Sequence, residues 1–118
     1  MNTKKPKRGE IWLVSLDPAI GSEMKKTRPS VIISTDAIGI LPIKLVAPIT
    51  EWKDSFSRMI WQVRLEPDEK NCLLKVSSVD VLQIRSVDTE RLIRQIGECS
   101  DEQMREICMV LSDITESA

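Results

Sequence analysis

The chain has 118 residues, of which 42% are apolar, and a formal net charge of −1. That length and apolar content suit one compact domain with a single core, and the near-neutral charge excludes a protein-wide attraction to nucleic acid. The sequence contains no histidine, which excludes Ser-His and Cys-His nucleophiles and histidine metal sites. Its three cysteines form no CxxC pair, so neither a disulfide framework nor a structural zinc site is expected.

The beginning of the chain is basic. Residues 1–28 carry seven Lys or Arg against three acids, so this part is expected to bind anions locally. Residues 1–7 are predicted to be a disordered basic arm ahead of a single domain at 8–118. No apolar stretch that resembles a signal peptide or a membrane span follows the arm. We therefore expect a cytoplasmic protein with no membrane partner.

Runs rich in β-branched and alternating residues predict a series of short strands. The expected strands cover 10–16, 30–34, 43–50, 59–65, 72–76, 83–87 and 96–99. Residues 77–82 are expected to form a short helical or irregular link, and Asp88 is expected to cap a short helix over 89–94. Pro48 cannot donate to a ladder, so the end of the third strand should be an edge or a bulge.

The C-terminal segment carries the clearest helix signal. Ser100 and Gln103 have the spacing of a capping box. Apolar residues then follow at helical spacing, and this stripe is expected to pack on the sheet: Met104, Ile107, Cys108, Leu111 and Ile114. Many short strands with one late helix predict a mainly β fold, either a small, strongly bent sheet or a partly open barrel.

A polar segment, residues 21–29, lies between the first two predicted strands. Lys25, Lys26 and Arg28 fall within four positions, a spacing suited to phosphate. Pro29 restricts Arg28 to extended conformations, which fixes where the guanidinium leaves the sheet. From composition and spacing alone, a solvated charge at a strand edge is the favoured interpretation of Arg28.

Several motifs in a fixed order resemble the MazF/PemK (Kid) family of toxins. They are RGEIW at 8–12, LDP at 16–18, GSE at 21–23, RP at 28–29, VAPIT at 46–50 and QIRSVD at 83–88. The resemblance implies a small SH3-like barrel of the CcdB/MazF type with a C-terminal helix. It implies a homodimer and the toxin of a type II toxin–antitoxin system, inhibited by a MazE-like antitoxin.

The same resemblance implies sequence-selective cleavage of single-stranded mRNA without a metal or other cofactor. In this family the 2′-hydroxyl attacks the adjacent phosphate, giving a 2′,3′-cyclic phosphate and a 5′-hydroxyl end. Residue by residue, Arg28 matches the family's catalytic arginine, Thr50 its catalytic threonine, and Glu23 the acidic residue of its first loop. A guanidinium can hold two phosphate oxygens but is a poor base. Glu23 is therefore expected to take the hydroxyl proton.

Four further residues are expected to contact RNA: Lys25, Lys26, Trp52 and Gln83. The two lysines either contact phosphates or only aid solubility. Trp52 is the exposed candidate for stacking on a base, whereas Trp12 and Trp61 are expected in the core. Gln83 either hydrogen-bonds a base edge or bridges strands.

Leu82 departs from the family pattern, because many members carry an acidic residue at this position. In some branches that carboxylate is assigned as the base, and a branch-specific arginine would align with Asp80. Two alternatives therefore stay open. One is a non-cleaving binding module, as in the CcdB-type toxins that share the barrel and poison DNA gyrase. The other is an inactive paralogue that binds an antitoxin.

Overall fold

A computed structural model describes residues 4–117, which are built around one antiparallel sheet of seven strands. In chain order the strands are β1 (Glu10–Ser15), β2 (Thr27–Ile32), β3 (Ile43–Glu51), β4 (Gln62–Leu65), β5 (Ser77–Asp80), β6 (Arg85–Asp88) and β7 (Leu92–Glu98). One helix follows, α1 (Asp101–Ile114). The predicted mainly β fold with a C-terminal helix is confirmed.

β3 is the strand on which the sheet is organised. The order across the sheet is β4-β5-β3-β2-β1-β7, and β6 also pairs with β3. β2 lies along one edge of β3, and β6 and β5 follow one another along the other edge. β4 and β7 end the sheet, so within residues 4–117 it is a bent, open sheet rather than a closed barrel.

Two apolar clusters occupy opposite faces of the central strands, as side-chain alternation requires. The larger lies between the sheet and α1 and contains, among others, Ile11, Val31, Ala47, Ile49, Met104 and Ile107. The smaller consists of Trp12, Val14, Leu16, Ile32, Val46, Val87 and Leu92. Met24, from the segment joining β1 and β2, packs against the smaller cluster. We call the face that carries this smaller cluster the loop face.

α1 begins where the sequence predicts. The Ser100 hydroxyl accepts a hydrogen bond from the backbone N–H of Gln103 at 3.1 Å, and Gln103 Oε1 accepts from the N–H of Ser100 at 2.8 Å. This capping box satisfies two N–H groups that the helix itself leaves unpaired. Of the predicted stripe, two residues are buried and the rest half-buried: Met104 and Ile107, then Cys108, Leu111 and Ile114.

The fifth strand is not where the sequence predicts it. Residues 72–76 are irregular, and the strand is Ser77–Asp80, in the predicted link. A tight turn precedes it, in which Asn71 Oδ1 accepts from the backbone N–H groups of Asp68 and Leu73, both at 3.0 Å. Cys72 follows with a φ of 56°. Pairing with β3 and β4 therefore overrides the β propensity of the apolar run at 73–76.

Other boundaries also differ from the prediction. β2 begins at Thr27, three residues early, so Arg28 lies inside a strand rather than at the end of a loop. β4 begins at Gln62, after a 3-10 turn at Asp54–Arg58. The edge predicted at Pro48 is wrong: Pro48 pairs with Ser30 of β2, and β3 continues to Glu51, where it pairs with β5.

The late part of the chain is more extended than predicted. The turn capped by Asp88 ends at Arg91, and β7 begins at Leu92, so the helix predicted over 89–94 is wrong beyond its first turn. Of the predicted arm, residues 1–3 lie outside the described residues, and residues 4–7 contain no helix or strand.

Candidate functional site

Arg28 and Thr50 lie side by side on the loop face. The last β2–β3 pair joins Ser30 to Pro48, and both strands run three residues further, to Thr27 and Glu51. The alternation therefore carries Arg28 and Thr50 to neighbouring positions on the same face. Both line a surface groove of about 450 Å³, called here the Arg28 groove. Its other lining residues are Glu23, Met24, Lys25, Glu51, Lys53 and Phe56.

Among the described residues, the cations of the Arg28 groove have no ion-pair partner. Within residues 4–117, neither Arg28 nor the two lysines of the groove forms an ion pair. The Arg28 guanidinium donates from Nε to the Lys25 carbonyl at 3.4 Å. Its two terminal nitrogens are left to bind a ligand, and a guanidinium suits two phosphate oxygens at once. At the rim, Glu51 pairs with Lys75 at 3.8 Å, with both side chains exposed.

Glu23 and Thr50 each keep hydrogen-bonding capacity. Glu23 Oε1 accepts from the backbone N–H of Ile20 at 2.7 Å, and its other carboxylate oxygen is available to a ligand. The Thr50 hydroxyl donates to the Glu51 carbonyl at 3.4 Å. Because that bond is long, a phosphate oxygen would be a stronger acceptor for the same proton. The groove thus offers a guanidinium, a hydroxyl donor and a carboxylate.

Gln83 holds the segment that carries Glu23. Its Oε1 accepts from the backbone N–H of Met24, and its Nε2 donates to the carbonyl of Ser22, both at 3.1 Å. One side-chain amide therefore fixes the backbone on either side of Glu23. The bridging interpretation of Gln83 describes these contacts, although the amide bridges to a loop rather than to a strand.

Two arginines fix the start of the same loop. Arg85 Nη1 donates to the carbonyl of Leu16 at 3.1 Å. Arg91 Nη1 donates to the carbonyls of Ser15 and Asp17, at 3.1 and 2.6 Å. Residues near the end of the chain therefore determine the position of a loop near its beginning. Neither arginine was recognised from the sequence in this role.

Lys25 and Lys26 differ in their position relative to the Arg28 groove. Lys25 lines the Arg28 groove, but Lys26 does not. Lys26 has a φ of 70°, and its backbone N–H donates to Asp17 Oδ1 at 2.9 Å, which closes the loop. The Lys26 side chain is exposed, so it lies on the surface beside the groove rather than in its lining.

The three tryptophans differ less in burial than the sequence predicts. Trp12 is buried in the core as predicted, whereas Trp52 and Trp61 are both half-buried. The Phe56 ring meets Trp52 edge-on at 5.7 Å. The Arg64 guanidinium lies over the Trp52 ring, with Cζ 5.4 Å from its centroid.

The two positions that depart from the family pattern have opposite environments. Leu82 is 61% exposed and lines a second groove with Glu23 and Gln83. Asp80 is buried, and its Oδ2 accepts from Gln62 Nε2 at 3.1 Å, while its Oδ1 is enclosed without a partner. Burial raises the pKa of the Asp80 carboxyl above its ordinary value, although hydrogen bonding from the Gln62 side chain and from the backbone of Gln83 and Leu82 acts in the opposite direction.

Sequence reasoning missed several residues that line the site. Lys53 and Phe56 reach the Arg28 groove from the segment after Thr50. Arg94 and Cys72 line an adjoining groove that also contains Arg28 and Thr50. The closeness of Lys53 to Thr50 in sequence was a usable signal, but the approach of Arg94 depends on strand order.

Two kinds of feature are absent from residues 4–117. None of their helices combines the length and apolar character needed to cross a bilayer. Within the same residues, no three His, Cys, Asp or Glu side chains are grouped so that they could hold a metal ion.

Comparisons with known proteins agree with the fold and the motifs. Residues 7–115 match the family model described as PemK-like, MazF-like toxin of type II toxin–antitoxin system. The chain is 34% identical over 108 residues to endoribonuclease MazF9 of Mycobacterium tuberculosis (strain ATCC 25618 / H37Rv), covering 86% of this chain and 88% of that protein. It is also 34% identical over 111 residues to endoribonuclease toxin ChpB of Escherichia coli (strain K12), covering 92% and 93%.

A solved structure gives the same result for the fold. The crystal structure of MazF from Deinococcus radiodurans superposes with a TM-score of 0.78 at 22% identity, covering 94% of this chain and 96% of that one. The family model spans nearly all of the chain, and the two relatives support it independently. The chain therefore belongs to the PemK-like, MazF-like family of toxins of type II toxin–antitoxin systems.

Proposed function

We propose that this chain is a toxin that cleaves single-stranded mRNA at a short recognition sequence without a metal. The observation that carries the proposal is the Arg28 groove, where an unpaired guanidinium lies beside Thr50 and Glu23. The two relatives at 34% identity, both named endoribonucleases, support this reaction class.

The proposed reaction is attack by a ribose 2′-oxygen on the adjacent phosphorus. The 2′-hydroxyl proton passes to the Glu23 carboxylate as the new P–O bond forms. Arg28 and Thr50 donate hydrogen bonds to the phosphorane oxygens, whose charge grows in the transition state. The bond from phosphorus to the 5′-oxygen then breaks, and that oxygen takes a proton from solvent. The products are a 2′,3′-cyclic phosphate and a 5′-hydroxyl.

RNA binding is proposed along the same surface. Lys25 and Lys26 would contact phosphates, and Trp52 would stack a base on the ring face opposite Arg64. Gln83 keeps one N–H and one lone pair beyond the two bonds that hold the loop. We propose that it presents them to a base edge.

The proposed partners follow from the same family. A small MazE-like antitoxin would inhibit the protein, and two copies of the chain would form a homodimer in the cytoplasm. An exposed apolar patch favours association between copies. It contains Ile43 and Leu45, which alternate onto one face of β3.

The decisive test is cleavage of a long, mostly unstructured RNA in EDTA with mapped fragment ends. The wild type should give discrete cuts with 5′-hydroxyl ends. Arg28→Ala should reduce the rate by roughly a hundredfold or more, as loss of a transition-state donor does. Arg105→Ala, an exposed arginine on α1, is the matched control and should cleave normally. Undiminished cleavage by Glu23→Gln would exclude Glu23 as the base.

A binding-only function is the second candidate, because Leu82 stands where a carboxylate often acts. If folded wild type binds RNA but leaves it intact, and Arg28→Ala loses that binding, the binding module becomes the better description.

A further inference from the structure

β3 carries a buried lysine at the opposite end of the loop face from Thr50. Lys44 is 6% exposed and pairs with Val87 of β6. Lysine is rarely enclosed to this degree without a partner, because burial costs rotamer entropy and removes hydration from the ammonium. Within residues 4–117, Lys44 forms neither an ion pair nor a side-chain hydrogen bond. The folded chain therefore holds a positive charge that lacks a protein partner.

The Lys44 ammonium is not sealed from solvent. Among the described residues, the fully enclosed side-chain polar atoms without a partner are Ser30 Oγ and Asp80 Oδ1. Lys44 instead lines a cleft of about 600 Å³ between the N-terminal residues and the segment joining β2 to β3. The buried stem thus places its charge at the wall of an open site.

The cleft is strongly basic. Three more lysines line it: Lys4, Lys5 and Lys7. Lys4 Nζ donates to the carbonyl of Thr89 at 3.3 Å. Among the described residues of the lining, Asp36 is the one carboxylate, and its Oδ1 accepts from the backbone N–H of Arg8 at 2.8 Å. The described lining therefore carries four lysines and one carboxylate that already accepts a hydrogen bond.

Phosphate is the chemistry that fits this lining. Each ammonium offers three donors as a compact charge, and a phosphate offers several acceptor oxygens to share among them. Exposed Ile40 and Leu41 border the cleft, so apolar surface is available beside the charges for the rest of a phosphate-bearing ligand.

The cleft lies at a defined separation from the Arg28 groove. Lys44 and Thr50 are six residues apart on β3, with side chains on the same face, a separation of roughly 20 Å. A stacked single strand with a phosphate about every 3.4 Å covers that distance in roughly six nucleotides. A strand bound at Thr50 would reach Lys44 only if it extended well beyond the cut.

We propose that the cleft lined by Lys4, Lys5, Lys7 and Lys44 is a phosphate site that holds the RNA backbone outside the segment that is cut. The choice of RNA as the source of the phosphate rests on the proposed function. The preference for phosphate rests only on the cleft itself.

The test uses 2′-O-methyl RNA, which lacks the attacking hydroxyl and stays intact. The short oligonucleotide extends about three nucleotides on either side of the mapped cut. The long oligonucleotide extends about ten nucleotides further on each side, which is enough to span the distance from Thr50 to Lys44. Binding of both is measured for wild type, Lys44→Met and Lys70→Met. Methionine retains an apolar stem at position 44. Lys70 is exposed, lies outside the cleft and is the matched control.

Lys44→Met should raise the Kd of the long oligonucleotide about threefold or more, and lower its log–log salt slope by about 0.7 for each phosphate that the variant no longer binds. It should leave the short oligonucleotide unaffected, and Lys70→Met should change neither. Lys5→Gln, at an exposed position that does not threaten the fold, should show a smaller change in the same direction.

Other outcomes separate the alternatives. No effect of Lys44→Met on the long oligonucleotide overturns the proposal, and so does equal weakening of both lengths, which would mean that Lys44 acts through the fold of the Arg28 groove. If Lys44→Met abolishes binding of pyrophosphate without any effect of RNA length, RNA is overturned as the source. If the wild type never cuts RNA, no cut can be mapped; loss of pyrophosphate binding in Lys44→Met but not in Lys70→Met then leaves the phosphate site standing while the proposed function fails.

Discussion

At Asp80 the fold encloses a carboxyl group with one oxygen unpartnered. Its neighbour Gln62 also accepts from the Ser78 hydroxyl at 2.6 Å, and Ser78 pairs across the sheet with Thr50. A short polar chain therefore runs from the buried charge to the strand position opposite the proposed catalytic threonine. Buried polar groups that are only partly satisfied cost stability and are often kept for function.

Asp80→Asn should stabilise the protein at neutral pH. Because burial raises the folded-state pKa above the ordinary 3.8, ionisation of Asp80 opposes folding. This cost is absent below the unfolded-state pKa, grows as pH rises between the two pKa values, and is complete above the folded one. The variant should therefore have a higher Tm than the wild type near pH 7, and the difference should vanish on acidification. Exposed Asp113→Asn is the control; a lower Tm for Asp80→Asn at pH 7 would contradict the prediction.

Cys72 and Cys99 should differ sharply in reactivity. Burial, with a smaller contribution from the charge of Asp68, raises the pKa of the Cys99 thiol to about 12. Cys72 is exposed in the groove that adjoins Arg28. Since the thiolate is the reactive form, iodoacetamide should label Cys72 in the folded protein and Cys99 only after denaturation. Mass spectrometry of native and unfolded samples measures this, and equal labelling of both in the folded state would refute it.

Among the elements, the β1–β2 loop depends most on distant side chains. Gln83→Leu removes both hydrogen bonds that hold Ser22 and Met24 but leaves the strands paired. Hydrogen exchange at the Met24 amide should accelerate by roughly fivefold, since a net hydrogen bond is worth about 1 kcal/mol. Cleavage should fall because Glu23 loses its fixed position. Gln95→Leu, on β7, is the control, and an unchanged Met24 amide would show that the loop is held by other contacts.

The elements with regular apolar patterns could be predicted from the sequence, as the strands β1 and β3 and the helix α1 illustrate. β5 could not, because its residues Ser77, Ser78 and Asp80 are polar yet buried by pairing on both sides. The grouping of Arg28, Thr50 and Glu23 followed only from the resemblance, since the β2–β3 register and the hold of Gln83 on the loop are long-range. The spacing of charges in the sequence predicted only that Lys25 and Lys26 lie near Arg28, and it predicted none of the other contacts of the groove.

For the whole molecule, the exposed apolar patch predicts self-association. Ile43 and Leu45 lie on the same face of β3 as the residues packed under α1, yet both are exposed. Contiguous apolar surface of this kind marks an interface. Leu45→Glu should therefore convert a dimer to a monomer in light scattering coupled to size exclusion. Ile60→Glu, at an exposed site elsewhere, should leave the dimer intact. A wild type that is monomeric at high concentration would remove the basis for the prediction.

Because the β1–β2 loop is held by residues much later in the sequence, the order of translation determines when the Arg28 groove can form. When a ribosome has added Arg28 and Thr50, it has made less than half of the chain. β1 can pair with its second neighbouring strand only after β7 has been translated. Gln83, Arg85 and Arg91, which hold the loop, are translated shortly before β7. A nascent chain therefore cannot hold the loop of the Arg28 groove in place until Gln83, Arg85 and Arg91 have been translated. The proposed substrate class includes the chain's own messenger, and we expect this delay to keep the template intact until β7 has been translated.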